Sequence, residues 1–186
     1  MQFLNYGKII ITKMKNIILI LILFPSIAIA QENKEIIIYE KDNYSLEHPS
    51  NWILNDSGEN GTKIFLYPTH SESSDIFTEN INLIVQNLND SSITIEKYKG
   101  LVEKQISGML TDTQITLSEL KNKNELNFHQ LVAQGKSGDY TFKTIIYSYL
   151  INNQIYTLTF VTLYDTYENN HIESLRIMDS FKLTKN

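Results

Sequence analysis

The sequence predicts an α+β fold in which a central antiparallel β-sheet is flanked by helices on both faces. Three observations carry this. Two long apolar runs, Tyr140 to Ile151 and Gln154 to Leu163, are parted only by Asn152-Asn153. A two-residue type I′ turn needs φ > 0 at both positions, and asparagine tolerates this best among residues other than glycine, so the runs read as a hairpin. With Ile151 opposite Gln154, alternation sets Ile145, Tyr147, Tyr149, Tyr156, Leu158 and Phe160 on one face. Phe142, Ile146, Leu150, Ile155, Val161 and Leu163 fall on the other. Both faces are apolar and both need cover. The third observation supplies that cover: apolar residues recur at three and four in two segments, from Thr94 and from Thr166.

The elements follow in order. Ile36 to Tyr39 predicts a first strand, and Asp42-Asn43 a turn into Tyr44 to His48, whose alternation puts Tyr44, Leu46 and His48 on one face. Pro49 stops that strand by removing a ladder donor. Trp52, the single tryptophan, opens a short strand to Asn55 and reads as a core anchor. Asn55 to Thr62 is a Gly/Asn/Asp turn, Lys63 to Tyr67 a strand, and Pro68 to Asn80 a polar loop. Ile81, Leu83, Val85 and Leu88 mark the next strand.

Thr94 is a candidate N-cap, with Glu96 in the first turn where an acid suits the helix dipole. Ile95, Tyr98, Leu101, Val102, Gln105, Ile106 and Met109 form one face of that helix, which stops between Ser107 and Leu110. Two more strands are expected at Ile115 to Leu120 and Leu126 to Gln134, joined by a polar turn at Lys121 to Glu125. After the hairpin, Asp165 or Thr166 caps a last helix with Tyr167, His171, Leu175 and Met178 on one side. It ends near Asp179, and Phe181 and Leu183 close the domain as an extended tail.

The 186 residues suit one globular domain after removal of a leader. Lys13 and Lys15 flank Met14, an apolar run extends from Ile17 to Phe24, Pro25 breaks it, and Ala28-Ile29-Ala30 precedes Gln31. This is the three-part pattern of a secretory signal, with cleavage after Ala30 and translation starting at Met14. Ile17 to Ala30 is short of the roughly 20 residues a spanning helix needs, so no integral membrane segment is expected after cleavage. The exported domain is then residues 31–186, in a periplasmic or secreted location. Loss of Lys8, Lys13 and Lys15 leaves 13 basic against 21 acidic residues, a net charge near −8 that argues against nucleic acid or anionic lipid as partner. The chain has no cysteine, which excludes disulfides, thiolate metal sites and a cysteine nucleophile.

Tyr44-Ser45-Leu46-Glu47-His48-Pro49 followed by Trp52 resembles the opening signature of PsbP-like domains, which share a fold with the Mog1 and DcrB groups. Further landmarks match in order: Ile81 to Asn87, the helix start Ile95-Glu96-Lys97-Tyr98, the strand Gln154 to Thr159, and the terminal Ile177 to Lys182. The resemblance spans roughly Ile36 to Leu183. It implies an α/β/α sandwich and a non-enzymatic assembly or accessory protein. It implies no catalytic set and no cofactor.

The residues themselves point the same way. His48, His70, His129 and His171 have no HExxH or HxH spacing, and a loop-borne cation site at His70, Glu72 and Asp75 competes with a merely solvated acidic loop. No GxSxG elbow or phosphate loop is present, and Gly135-Lys136-Ser137-Gly138 is a hairpin turn. The eleven tyrosines are the one unusual stock. Tyr147, Tyr149 and Tyr156 read either as core or as an aromatic binding face where a helix fails to cover the sheet. The functional expectation is an unknown protein partner in an envelope assembly, with a small apolar ligand as the alternative.

Overall fold

The computed structural model describes residues 34–69, 77–123 and 126–183, without the side chains of 169 and 170. The leader and the acidic loop residues His70, Glu72 and Asp75 lie outside the described residues. Among the described residues, ten strands and two α-helices run in the order β1 (Ile36–Lys41), β2 (Tyr44–Pro49), β3 (Trp52–Asn55), β4 (Ile64–Pro68), β5 (Asn80–Asn87), α1 (Ile95–Met109), β6 (Thr111–Lys123), β7 (Leu126–Ser137), β8 (Tyr140–Ile151), β9 (Gln154–Leu163), α2 (Tyr167–Ser180) and β10 (Lys182–Leu183). One sheet has seven strands in the order β3-β4-β5-β9-β8-β7-β6, and a second has three, β1-β2-β10. Every pairing is antiparallel.

The hairpin pairs as its turn requires. Asn152 and Asn153 have φ of 49° and 59°, and Tyr149 lies opposite Tyr156, Tyr147 opposite Leu158, and Ile145 opposite Phe160. The flanking strands extend its two faces. On one, Leu83, Ile81, Leu66, Ile64 and Trp52 join the hairpin's aromatic row in the larger core, together with Ile177, Met178 and Phe181. On even positions of β8 lies a smaller core, in which Val102 and Ile106 of α1 pack with Leu131, Ala133 and Ile146.

The structure differs from expectation in five places, the first being that Gly135, Lys136 and Ser137, read as a turn, extend β7 and pair with Phe142, Thr141 and Tyr140. Strand β6 is 13 residues long, twice the predicted span, because it is an exposed edge whose polar residues pair with β7 without needing an apolar face. The C-terminal tail is not free: Lys182 and Leu183 pair with Ser45 and Tyr44. That pairing builds the small sheet, whose Tyr44 and Leu46 cover the larger core alongside α2. Thr166 occupies the N-cap position of α2 without a capping bond, its hydroxyl donating instead to the Leu163 carbonyl at 3.2 Å. Finally, Leu101 and Met109, assigned to the packed face of α1, are 53% and 69% exposed.

Candidate functional site

The tyrosine face is not a surface. Tyr147, Tyr149 and Tyr156 are 5%, 3% and 1% exposed, so the structure corrects the binding-face reading and puts all three in the core. The cause is cover that alternation could not foresee. Phe181 lies 5.3 Å from the Tyr149 ring and 6.5 Å from that of Tyr156, and Phe128 stacks on Tyr149 at 4.9 Å. The Tyr147 hydroxyl donates to Asp179 Oδ1 at 3.1 Å, and that of Tyr156 donates to Gln154 at 2.8 Å while accepting from Asn43 at 2.6 Å. Burial, and then the Asp179 charge, push the phenols of Tyr147 and Tyr149 upward, so neither ionises in ordinary conditions.

The histidines are dispersed. His48 is buried, with Nδ1 at 3.1 Å from the Pro49 carbonyl oxygen, and His171 stacks on Tyr167 at 4.6 Å. Among the described residues no three His, Cys, Asp or Glu side chains converge as a metal site would need. The histidine that does meet other chemistry is His129, fully buried on β7. Its Nε2 is 2.9 Å from Ser118 Oγ, and that hydroxyl donates to Glu103 Oε1 at 2.5 Å. Burial, then Lys99, push the imidazole down, against a smaller upward pull from Glu103.

This trio has the residue types of a serine hydrolase but not their order. A triad carboxylate orients the imidazole through Nδ1, whereas here the carboxylate binds the serine itself and leaves the hydroxyl engaged at both ends. The contact ties α1 to β6 and β7. Sequence reading missed it because Ser118 and His129 meet only through the β6–β7 register and Glu103 only through where α1 lies.

A groove opens beside the same helix. Thr94 starts α1 by accepting the Lys97 N–H at 3.4 Å, and the helix crosses β6, β7 and β8. Its C-terminal Leu110 sits so close to β7 that a Cβ on Gly135 would lie 2.8 Å from the Leu110 Cβ. The lining beyond the helix comes from β5, β8 and β9, with Ser137 from the end of β7. The result is a groove of about 500 Å³, floored by Ile84, Ile146, Val161 and Phe142 and walled by Tyr98 and Met109. Thr144, Thr157 and Thr159 line it, and the Tyr98 hydroxyl is 3.5 Å from that of Thr157.

Among the described residues no Asp, Glu, Lys, Arg or His lines the groove, in a chain that is 20% charged. Its described lining can exclude water, pack apolar groups and offer hydroxyls and amides. Of the two sequence readings of the tyrosines, core and binding face, their burial fits the core, and the uncovered part of the sheet is on the opposite face. The open side is the threonine and aliphatic one under α1. A second recess of about 450 Å³ brings Asp42 and Lys63 together with Asn43, Asn87, Gln154, Tyr44, Val85 and Tyr156.

With this geometry in view, the likeness to known structures is informative. No protein-family model matches the chain, and no curated protein matches it by sequence. Solved structures do. The cyanobacterial PsbP (CyanoP) of Synechocystis superposes with a TM-score of 0.62 over 83% of this chain and 95% of its own, at 14% identity. LpqN of Mycobacterium tuberculosis, described as involved in cell envelope biogenesis, gives 0.61 over 82% and 91%, at 13% identity. The Ran-binding protein Mog1p of Saccharomyces cerevisiae gives 0.57 over 82% and 97%, at 9% identity. The chain therefore has the Mog1/PsbP/DcrB fold.

Proposed function

We propose that this is an exported, non-enzymatic binding domain that holds a protein partner in an assembly of the cell envelope. The observation that carries the reading is the groove between α1 and strands β5, β8 and β9, whose described lining is apolar and hydroxyl-bearing without a charge. Proteins of the same fold include one named for Ran binding and one for envelope biogenesis. The separate packing of α1 with Ile146 and of α2 with the core of Tyr147 and Phe160 supports reading the architecture as an α/β/α sandwich, with the small sheet sharing one face with α2.

Thr159→Arg puts a cation on the groove floor without touching the core. Affinity isolation from envelope extract, quantified for wild type and Thr159→Arg, should recover a protein enriched only by the wild type. Identical sets from both would overturn the reading. N-terminal sequencing of the exported protein should begin at Gln31, and a retained leader would contradict cleavage after Ala30.

A second reading, a small apolar ligand in the same groove, is favoured by its volume and its lining. Native mass spectrometry of the purified protein would then show a bound mass lost in Thr159→Arg, and an unliganded wild type would remove it.

A further inference from the structure

Among the described residues the two sheets leave four strand edges: β1 and β10 in one, β3 and β6 in the other. Strand β10 has two residues and β3 four. Strand β6 carries Glu119, Lys121 and Lys123 and two register irregularities against β7. Shortness, charge and bulges are the devices that keep an edge from pairing with another molecule. The middle of β1 has none of them. Ile36, Ile37 and Ile38 are 56%, 41% and 69% exposed, and among the described residues the strand pairs on one side only, with β2.

The phase of that pairing fixes which backbone groups face outward. The Ser50 N–H donates to the Glu35 carbonyl at 2.8 Å, so Glu35, Ile37 and Tyr39 turn their polar groups toward β2, while Ile36, Ile38 and Glu40 turn theirs away. Pro49, with no N–H to give, stands opposite Ile36, as this phase requires.

We propose that β1 pairs antiparallel with β1 of a second copy about a two-fold axis at Ile38, joining two three-stranded sheets into one of six strands. In that register Ile38 faces its own counterpart, Ile36 faces the partner's Glu40, Ile37 the partner's Tyr39, and Glu35 the partner's Lys41, whose ammonium, like the Tyr39 hydroxyl, also binds Asp56 of its own chain at 2.9 Å. The outward-facing residues Ile36, Ile38 and Glu40 meet only one another, so each can exchange both ladder bonds. A one-residue slip would set them against groups already committed to β2. The two-fold axis repeats the apolar–aromatic pair and the acid–base pair on either side, which is the self-complementarity an isologous contact needs.

The absence of native cysteine makes the register directly testable. Hydrogen-bonded residues facing each other across an antiparallel pair have Cα atoms about 5.5 Å apart, inside the roughly 4.4–6.8 Å range of a disulfide. Under mild oxidation of the exported protein, Ile38→Cys should give a covalent dimer. Glu40→Cys alone should not, whereas Glu40→Cys mixed with Ile36→Cys should give the mixed dimer. Ile38→Pro removes only an outward N–H, so it should keep the wild-type thermal melt while weakening the dimer at least tenfold in sedimentation equilibrium. A monomeric wild type at the highest concentrations reached, or Ile38→Cys linking no faster than Glu40→Cys, would overturn the proposal. Should Ile38→Pro unfold the domain, the cysteine pairs alone decide.

Discussion

Phe160 is fully buried opposite Ile145, in the row that also holds Leu158 and Tyr156. Truncation to Ala removes a ring the sheet cannot close around and should cost about 3–5 kcal/mol. Leu101→Ala, on the exposed side of α1, should stay within about 0.5 kcal/mol. Denaturant melts in the reverse order would contradict the assignment of the core. His129 sets a pH dependence. Burial holds its folded pKa below the ordinary 6.5, so as pH falls below that value the unfolded chain takes up a proton that the folded protein resists. Stability should be fully present above about pH 6.5 and decline below it. The decline should flatten in His129→Gln, measured as melting temperature against pH. Glu173 acts in a lower window. Burial raises its pKa, but bonds from Lys34 and the Trp52 indole outweigh this and leave the net shift downward from 4.5. Its contribution is present above pH 4.5 and is lost as pH drops through the folded value. At this scale the alternation of Tyr44, Leu46 and His48 was readable from the chain, and so was the anchoring of Trp52. The meeting of Ser118, His129 and Glu103 was not, because each contact spans elements whose register no local pattern encodes.

Among elements, the hairpin and α1 were the most legible because their signals are local. Two asparagines adopt positive φ at the turn, and Thr94 caps where expected. Thr94→Ala should cost about 1 kcal/mol by leaving the Lys97 N–H uncapped, read from the shift in denaturation midpoint. Edge strand β6 was underestimated for the opposite reason: half in water, it needs no apolar face. Strand β10 was invisible, since two residues carry no periodicity and pair only because Phe181 buries beside them. Gly135 links element to site. An added Cβ would meet the Leu110 side chain at 2.8 Å and the Thr111 carbonyl oxygen at 3.1 Å. Gly135→Ala should therefore lift the end of α1 and destabilise the protein by about 1–3 kcal/mol. Amide shifts concentrated at the end of α1 and along the groove rim would register the movement.

For the whole molecule, the resemblance to PsbP-like domains rested on core landmarks, and the likeness of fold to solved structures holds at 14% identity and below. A binding surface is not preserved that way. The groove exists because α1 lies over β7 and β8 and leaves part of β5 and β9 open, a placement set by long-range packing of Val102 and Ile106. The sequence reading looked for it among tyrosines because those residues are conspicuous, yet large amphipathic rings fill a core as readily as they line a site. The threonines of β8 and β9 that do line it carry no signal beyond strand propensity.

The claim that function resides in this groove is tested most directly by installing a photoreactive side chain at Thr159 and, as control, at Thr116 on the exposed edge strand, followed by illumination of intact cells. Cross-linking from Thr159 to one discrete species, with none from Thr116, is the predicted result. Equal adducts from both positions, or none from Thr159, would contradict it.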